Sequence, residues 1–274
     1  MSGTSWLLQG LPHTPLALVT GGSTGLGFAM ARTLADHGFS VFVCARTRTD
    51  LDAATAREPR LLALHADVTH AEDRQRLFAE VERRAGRPLD LLVNNAAIVR
   101  AHDYTNPFTL SEDRAAAEID TNFAAPIDLA RLFLLSRHGR VSTPGAILNV
   151  STPGALFPLD ANPLYSATKA GLHMFTLSLR RHLKDTPVRV FELFPPALDT
   201  RLADQLDVPS QAAHGQDVID AVAGEAIAGL LAGTETILPH PQSRALVAMF
   251  PPIDTGMIDV VNRGVGRRAG WDHP

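Results

Sequence analysis

Tyr165 and Lys169 stand four residues apart in the stretch NPLYSATKAG. On a helix that spacing puts both side chains on one face. A phenol with its ordinary pKa of about 10 can donate a proton at neutrality but accepts one poorly. An ammonium beside it stabilises the phenolate and lowers that pKa, improving acid–base work in both directions. Just upstream, NVSTPG sets two hydroxyls, Ser151 and Thr152, side by side after an apolar run. Either could hold an oxygen on which charge develops. The chain has 23 arginines but only two lysines, Lys169 and Lys184, and only two tyrosines, Tyr104 and Tyr165. Lysine kept in so arginine-rich a chain points to a need for an ammonium, because a guanidinium differs in shape and hydration. Lys184 is the contrast. It falls near the C-terminal end of the same helical segment, where a cation complements the helix dipole and needs no catalytic role.

Such residues need a scaffold, and the apolar pattern supplies one. Short runs at 16–20, 41–45, 61–65, 90–94, 145–150, 188–193 and 235–238 read as strands apolar on both faces, as in a parallel sheet covered on both sides. Segments with helical periodicity lie between them, at about 25–37, 71–85, 111–138, 162–184 and 217–231. In 162–184, Leu172, Phe175, Leu179 and Leu183 form one apolar stripe. The alternation predicts a single doubly wound α/β domain over 1–274, with a Rossmann-type seven-stranded parallel sheet and helices on both faces. Residues 200–216 are expected to form a lid over substrate. The stretch 239–274, rich in Pro and Gly, is expected to be an irregular appendage.

Composition narrows the function. The chain of 274 residues carries a net charge of −4, which offers no surface for a polyanion and argues against nucleic acid. No apolar run approaches the roughly 20 residues of a membrane helix, and the N-terminal stretch lacks a basic n-region. A cytoplasmic protein with no membrane partner is expected. Cys44 is the single cysteine, so no internal disulfide or cysteine-based metal cluster is possible. No metal is expected, and Cys44 reads as a small core residue.

The first strand runs into TGGSTGLG, residues 20–27. Gly21, Gly25 and Gly27 sit where strand turns into helix, which lets backbone N–H groups approach a pyrophosphate under the positive end of the helix. The second strand ends in CARTR, with Ala45 where an acid would hold the adenosine ribose hydroxyls. Arg46 and Arg48 follow. Loss of the acid and gain of guanidinium groups favour a 2′-phosphate, hence NADP(H) over NAD.

With these motifs on the page, the chain resembles the short-chain dehydrogenases/reductases over nearly its whole length. TGGSTGLG looks like the TGxxxGxG cofactor loop of that family. ADV at 66–68 is similar to the adenine-contacting segment, NNAA at 94–97 to NNAG, DTNF to the segment of the catalytic asparagine, and YSATK to Tyr-x-x-x-Lys. Further wording, NPLYSATKAGLHMFTLSLR and FELFPPALDT, resembles a subgroup named for the oxidoreductase of the lipoteichoic-acid D-alanylation operon. The resemblance implies hydride transfer between a nicotinamide and a carbonyl or secondary alcohol of a small, apolar substrate. It implies cofactor contacts from Gly21, Ser23, Thr24, Gly25, Leu26, Gly27, Arg46, Asp67, Val68, Asn94, Ala96, Tyr165, Lys169, Pro195, Leu198 and Thr200.

It also implies a catalytic set of Asn122, Thr152, Tyr165 and Lys169. Asn122, an unfavourable residue inside a helix, would support a proton relay to Lys169; from propensity alone it marks a local kink. The polarising hydroxyl of the family lies thirteen residues before its tyrosine, which lands on Thr152. Ser151, one residue away on an extended segment, should point elsewhere and be structural. A threonine there keeps the hydroxyl but adds a methyl and stiffens χ1. Ala97 stands where the family has glycine, and Pro196 where it has Pro-Gly. These departures leave room for a lyase or isomerase on the same fold, or an NADPH-binding regulatory protein. Phe157, Leu159 and Leu164 are expected at an apolar rim. His102 and Tyr104 are either pocket or ordinary loop residues. Self-association as a homodimer or homotetramer, through the helices at about 111–138 and 162–184, is implied as well.

Overall fold

The computed structural model describes residues 5–139, 142–198, 202, 215–250 and 258. After a short helix α1 (Trp6–Gln9), strand and helix alternate: β1 (Leu16–Thr20), α2 (Gly25–Asp36), β2 (Ser40–Ala45), α3 (Arg48–Arg57), β3 (Leu61–His65), α4 (Ala71–Ala85) and β4 (Leu91–Asn94). Then come α5 (Glu112–Ile119), α6 (Ala125–Arg137), β5 (Gly145–Val150), α7 (Pro163–His182), β6 (Val188–Leu193), α8 (Gln216–Ala232), β7 (Thr236–Ile237) and α9 (Pro241–Ala248). All strand pairs are parallel, in the order β3-β2-β1-β4-β5-β6-β7. The chain builds outward one way through β1 to β3 and the other way from β4 to β7. Where the two halves meet, the loops after β1 and β4 part and leave a crevice at the carboxyl ends of the strands.

Both faces of the sheet are covered. Leu34 of α2 and Val222 and Leu230 of α8 pack on one side; Leu77 of α4, Phe133 of α6 and Phe175 and Leu179 of α7 pack on the other. Phe133 is fully buried, and its truncation to alanine would cost about 3–5 kcal/mol. β1 and β5 are buried along their whole length, as expected for central strands. β3 is not: it lies at the sheet edge and is only partly buried, with Leu62 exposed. Cys44 is buried among apolar neighbours, and burial pushes its thiol up to about 12. No helix among the described residues is long and apolar enough to cross a membrane.

Three features depart from the pattern read in the sequence, and a fourth, the expected lid, lies almost wholly outside the described residues. Helix α3 has only Leu51 and Ala54 buried, so it lacks the apolar stripe that announces a helix. The span 111–138 is not one helix. A π-turn, Asp120–Ala124, separates α5 from α6, and the Ala125 N–H reaches back five residues to the Asp120 carbonyl. The Thr121 hydroxyl donates to the Ala117 carbonyl (2.7 Å) at the same place, a side-chain bond that competes with the helical ladder. The stretch from Pro239 contains α9, started by Pro241 in the first turn and by His240, whose ring accepts from the Gln242 N–H. Of the segment 200–216, the described part is Leu202, Gly215 and Gln216, and Gln216 already belongs to α8.

Candidate active site

The crevice holds a cavity of about 640 Å³. At one end is the turn between β1 and α2. Gly21 has a φ of 62°, left-handed backbone that favours glycine. A Cβ on Gly27 would collide with the Gly21 carbonyl oxygen and the Asn95 amide. Thr24, at the N-cap of α2, makes no side-chain capping bond, so the first-turn N–H groups stay open to an anion. The turn is pinned to the end of β4. Asn95 Nδ2 donates to the Thr20 and Gly21 carbonyls (2.9 and 3.2 Å), and the Thr20 hydroxyl oxygen accepts from the Asn95 and Ala96 N–H groups (3.0 Å each). Gly21, Ser23, Thr24, Gly25, Leu26 and Gly27 all face the cavity. So do Arg46, Asp67 and Val68 further out, beside Thr47 and Asp50. One Asp67 oxygen accepts from the Thr69 N–H and hydroxyl (2.9 and 2.7 Å). An open helix N-terminus, glycines that admit no side chain and an exposed arginine beyond them fit a dinucleotide.

The other end is built by β5, β6 and α7. Lys169 is buried, and its Nζ donates to the Val150 carbonyl (2.9 Å) while standing 5.9 Å from the centre of the Tyr165 ring. Burial pulls the Lys169 ammonium down to about 8, opposed by the negative charge of Glu192. Burial pushes the Tyr165 phenol up, and the Glu118 carboxylate adds to the rise. In the protein alone the phenol is therefore raised, not lowered as the sequence leads one to expect. Thr152 caps a 3₁₀ turn, Pro153–Ala155, by accepting from the Gly154 N–H (3.3 Å), which leaves its hydroxyl proton free to donate. Ser151 also lines the cavity. Its backbone N–H is bound to the Leu193 carbonyl, but its buried Oγ has no hydrogen-bond partner among the described residues. Ser151 therefore shares the cavity with Thr152 rather than pointing elsewhere.

Ala96, Pro195 and Leu198 line the wall between the two ends. Thr200 lies outside the described residues. Asn94 is buried and turned away from the cavity, donating to Asn149 Oδ1 (2.8 Å), while Asn95 faces it. Strand alternation after β4 is the signal that separates them. Asn122 is buried behind the wall. Its Oδ1 accepts from the Ile98 N–H (2.9 Å), and its Nδ2 donates to the Ile98 carbonyl (2.8 Å) and to Thr168 Oγ1 (3.3 Å). Its amide thus ties the cavity wall to α7, with both its donors engaged. Phe157 and Leu159 line the rim, with Phe157 stacked on Phe250 at 5.4 Å. Leu164 is not on the wall. His102 is bonded to Glu118 in a buried pair (3.0 Å), and Tyr104 is exposed. Asn162, Gln242 and Leu246 reach the cavity without having been singled out. For Gln242 and Leu246 the signal was a capped helical turn inside a Pro-rich stretch.

The profile of the short chain dehydrogenases matches residues 15–210. Over 188 residues the chain is 37% identical to an uncharacterized oxidoreductase, DltE, of Bacillus subtilis, covering 68% of this chain and 72% of that one. A short chain dehydrogenase/reductase from Burkholderia phymatum, solved in complex with NAD, superposes with a TM-score of 0.74 at 20% identity, over 85% of this chain and 92% of that one. A metagenomic short-chain oxidoreductase in complex with NADP gives 0.63 at 26% identity, over 80% and 90%.

Proposed function

The chain belongs to the short-chain dehydrogenase/reductase family, and from that premise we propose that it is an NADP(H)-dependent reductase of small, apolar ketones, working reversibly on the matching secondary alcohols. The observation that carries this reading is the meeting of Tyr165, Lys169 and Thr152 on one wall of a cavity whose far end is the glycine turn.

The cofactor would lie from that turn to Lys169, where its nicotinamide supplies or accepts hydride. Gly21, Gly25 and Gly27 give the pyrophosphate close access to backbone N–H groups. Arg46, exposed at the adenosine end, would meet a 2′-phosphate. Asp50 on the same wall opposes it in part. Thr152 donates a hydrogen bond to the carbonyl oxygen, and Tyr165 delivers the proton to that oxygen as charge develops on it. The raised phenol pKa keeps Tyr165 protonated, which suits the reduction direction. Lys169 holds a cofactor ribose hydroxyl and offsets phenolate charge. Asn122 acts by fixing Ile98 against α7 rather than through its own amide. Phe157, Leu159 and Leu246 make the substrate side apolar. The exposed Ile119, Leu135 and Met174, on α5, α6 and α7, support self-association through those helices, as a dimer or tetramer. A cytoplasmic location belongs to the same reading.

The test is NADPH oxidation against small, aromatic and polycyclic ketones, with Tyr165→Phe as control. The variant should lose about a thousandfold of turnover while its NADPH Kd stays within about threefold. Retained turnover would remove Tyr165 from the chemistry. Substrate consumed with no change in NADPH absorbance would place the protein among the non-redox members of the fold.

A further inference from the structure

Helix α7 carries both Tyr165 and Lys169, so whatever fixes that helix fixes the proton-transfer pair. The sheet beneath it holds polar groups where apolar ones are the rule. Asn94, Asn149 and Glu192 are register neighbours on β4, β5 and β6, and all are buried. Asn94 donates to Asn149, and Asn149 donates to Thr176 Oγ1 of α7 (2.8 Å each). Glu192 ends this row as a carboxylate with 0% exposure. Its two oxygens stand 2.8 and 3.0 Å from Nδ1 of His173. His173 is one turn beyond Lys169 on the same face of α7. Lys169 in turn is bonded to the carbonyl of Val150, whose register partner Leu193 follows Glu192 directly.

A carboxylate inside a sheet is tolerated only with partners, and an apolar side chain of similar volume would serve packing as well. The core therefore gives no reason for a charge at this position. We propose that Glu192, oriented by His173, is a positioning residue for Lys169: the buried counter-charge that keeps its ammonium ionised and aimed into the cavity. This rests on the role given to Lys169 above. The charged and titratable groups around it are few. Glu192 reaches α7 from β6 through His173, one turn beyond Lys169, and Tyr165 lies one turn before Lys169 on the same helix. Arg180, two turns beyond His173, also feels the Glu192 charge.

The sign follows from the two influences on Lys169. Burial favours the neutral amine and Glu192 favours the ammonium. The ammonium is present below about pH 8 and lost above it. Removing the Glu192 charge moves that loss to lower pH, by about one unit for an opposite charge at close range.

Because the chain has two lysines, the ammonium can be read directly. Protein labelled with ¹³Cε-lysine gives two signals, and the exposed Lys184 is the internal control. In the cofactor-free protein, Glu192→Gln should shift the Lys169 midpoint down by about one unit and leave Lys184 in place. Glu192→Asp, which keeps the charge, should hold Lys169 within about 0.3 unit of wild type; Glu192→Met, which removes the charge at similar volume, should give the same fall as the amide and carries the test if the amide variant does not fold. An unmoved Lys169 in Glu192→Gln, or an equal fall in Glu192→Asp, overturns the proposal. In turnover assays the alkaline limb of kcat/KM should follow the NMR midpoint. A limb that stays put while the Lys169 signal moves leaves the counter-charge standing and overturns the catalytic role of Lys169 instead.

Discussion

The two ends of the cavity are built on different principles. The nucleotide end is a backbone surface. Its specificity for phosphate lies in what is missing: no Cβ at Gly21 or Gly27, and no side-chain cap on α2. The reacting end is a side-chain surface. Lys169, Tyr165 and Thr152 come from two separate chain segments and are held by Val150, Gly154 and the row under α7. A backbone surface tolerates almost no substitution, because the obstructing atoms cannot move away. A side-chain surface tolerates exchange of shape but depends on charge and on the partner of each polar atom.

The largest effect on cofactor affinity should therefore come from one methyl group at the nucleotide end. Gly27→Ala puts a Cβ against the Gly21 carbonyl oxygen and the Asn95 amide. Neither can retreat without releasing the turn from Thr20. NADPH affinity should fall about a hundredfold, roughly 2.7 kcal/mol, in a protein that keeps its helical circular dichroism. Titration of NADPH fluorescence measures it. A loss under threefold would show that the turn adapts, and the contrast between the ends would lose its basis.

Legibility in the sequence follows the same division. The glycine turn and the central strands could be read because their determinants are local: a tripled glycine after an apolar run, and runs apolar on both faces. Helix α3 could not, since Leu51 and Ala54 alone make no stripe. The Tyr165 and Lys169 pair was legible from its spacing, yet its electrostatics were not. Glu118 and Glu192 act on it from positions 47 and 23 residues away in the chain, brought near by α5 and β6. Reading NNAA as a unit put Asn94 on the cavity, whereas the pleat turns Asn94 inward and presents Asn95. Helix propensity marks Asn122 as an irregular point and a π-turn lies there, but the bonds its amide makes to both polar groups of Ile98 cross 24 residues and have no local signal.

The second effect in size should come from the hydroxyl pair at the reacting end. Thr152→Val keeps the shape and removes the donor, so kcat/KM for ketone reduction should fall about a hundredfold. Ser151→Ala removes a buried oxygen that has no partner among the described residues. It should cost less than threefold in activity and leave stability unchanged or slightly higher, since an unsatisfied buried polar atom is lost. Steady-state kinetics and thermal melting on the two variants decide it. The reverse ranking would move the polarising role to Ser151, whose free oxygen would then be the group that waits for substrate.

The smallest effect belongs to Arg46, because it joins features of both ends: a side chain, but one exposed to solvent. An exposed ion pair contributes about 1 kcal/mol or less. A phosphate dianion offers more charge than a carboxylate, so the gain from one guanidinium stays near the top of that range. Asp50 on the same wall repels the same phosphate and trims the gain. Arg46→Ala should thus reduce the preference for NADPH over NADH by about fivefold, equal to about 1 kcal/mol, entirely through NADPH. NADH affinity should stay within about twofold, as it has no 2′-phosphate to lose. The preference should also shrink in wild type as salt rises from 50 mM to 0.5 M, since solvent-exposed charges are screened over about 10 Å at 0.1 M, and it should be insensitive to salt in the variant. A wild-type preference unaffected by both salt and Arg46→Ala would mean that the adenosine end discriminates by shape. That end would then work as the glycine turn does, and the boundary between the two surfaces would lie further from the phosphates.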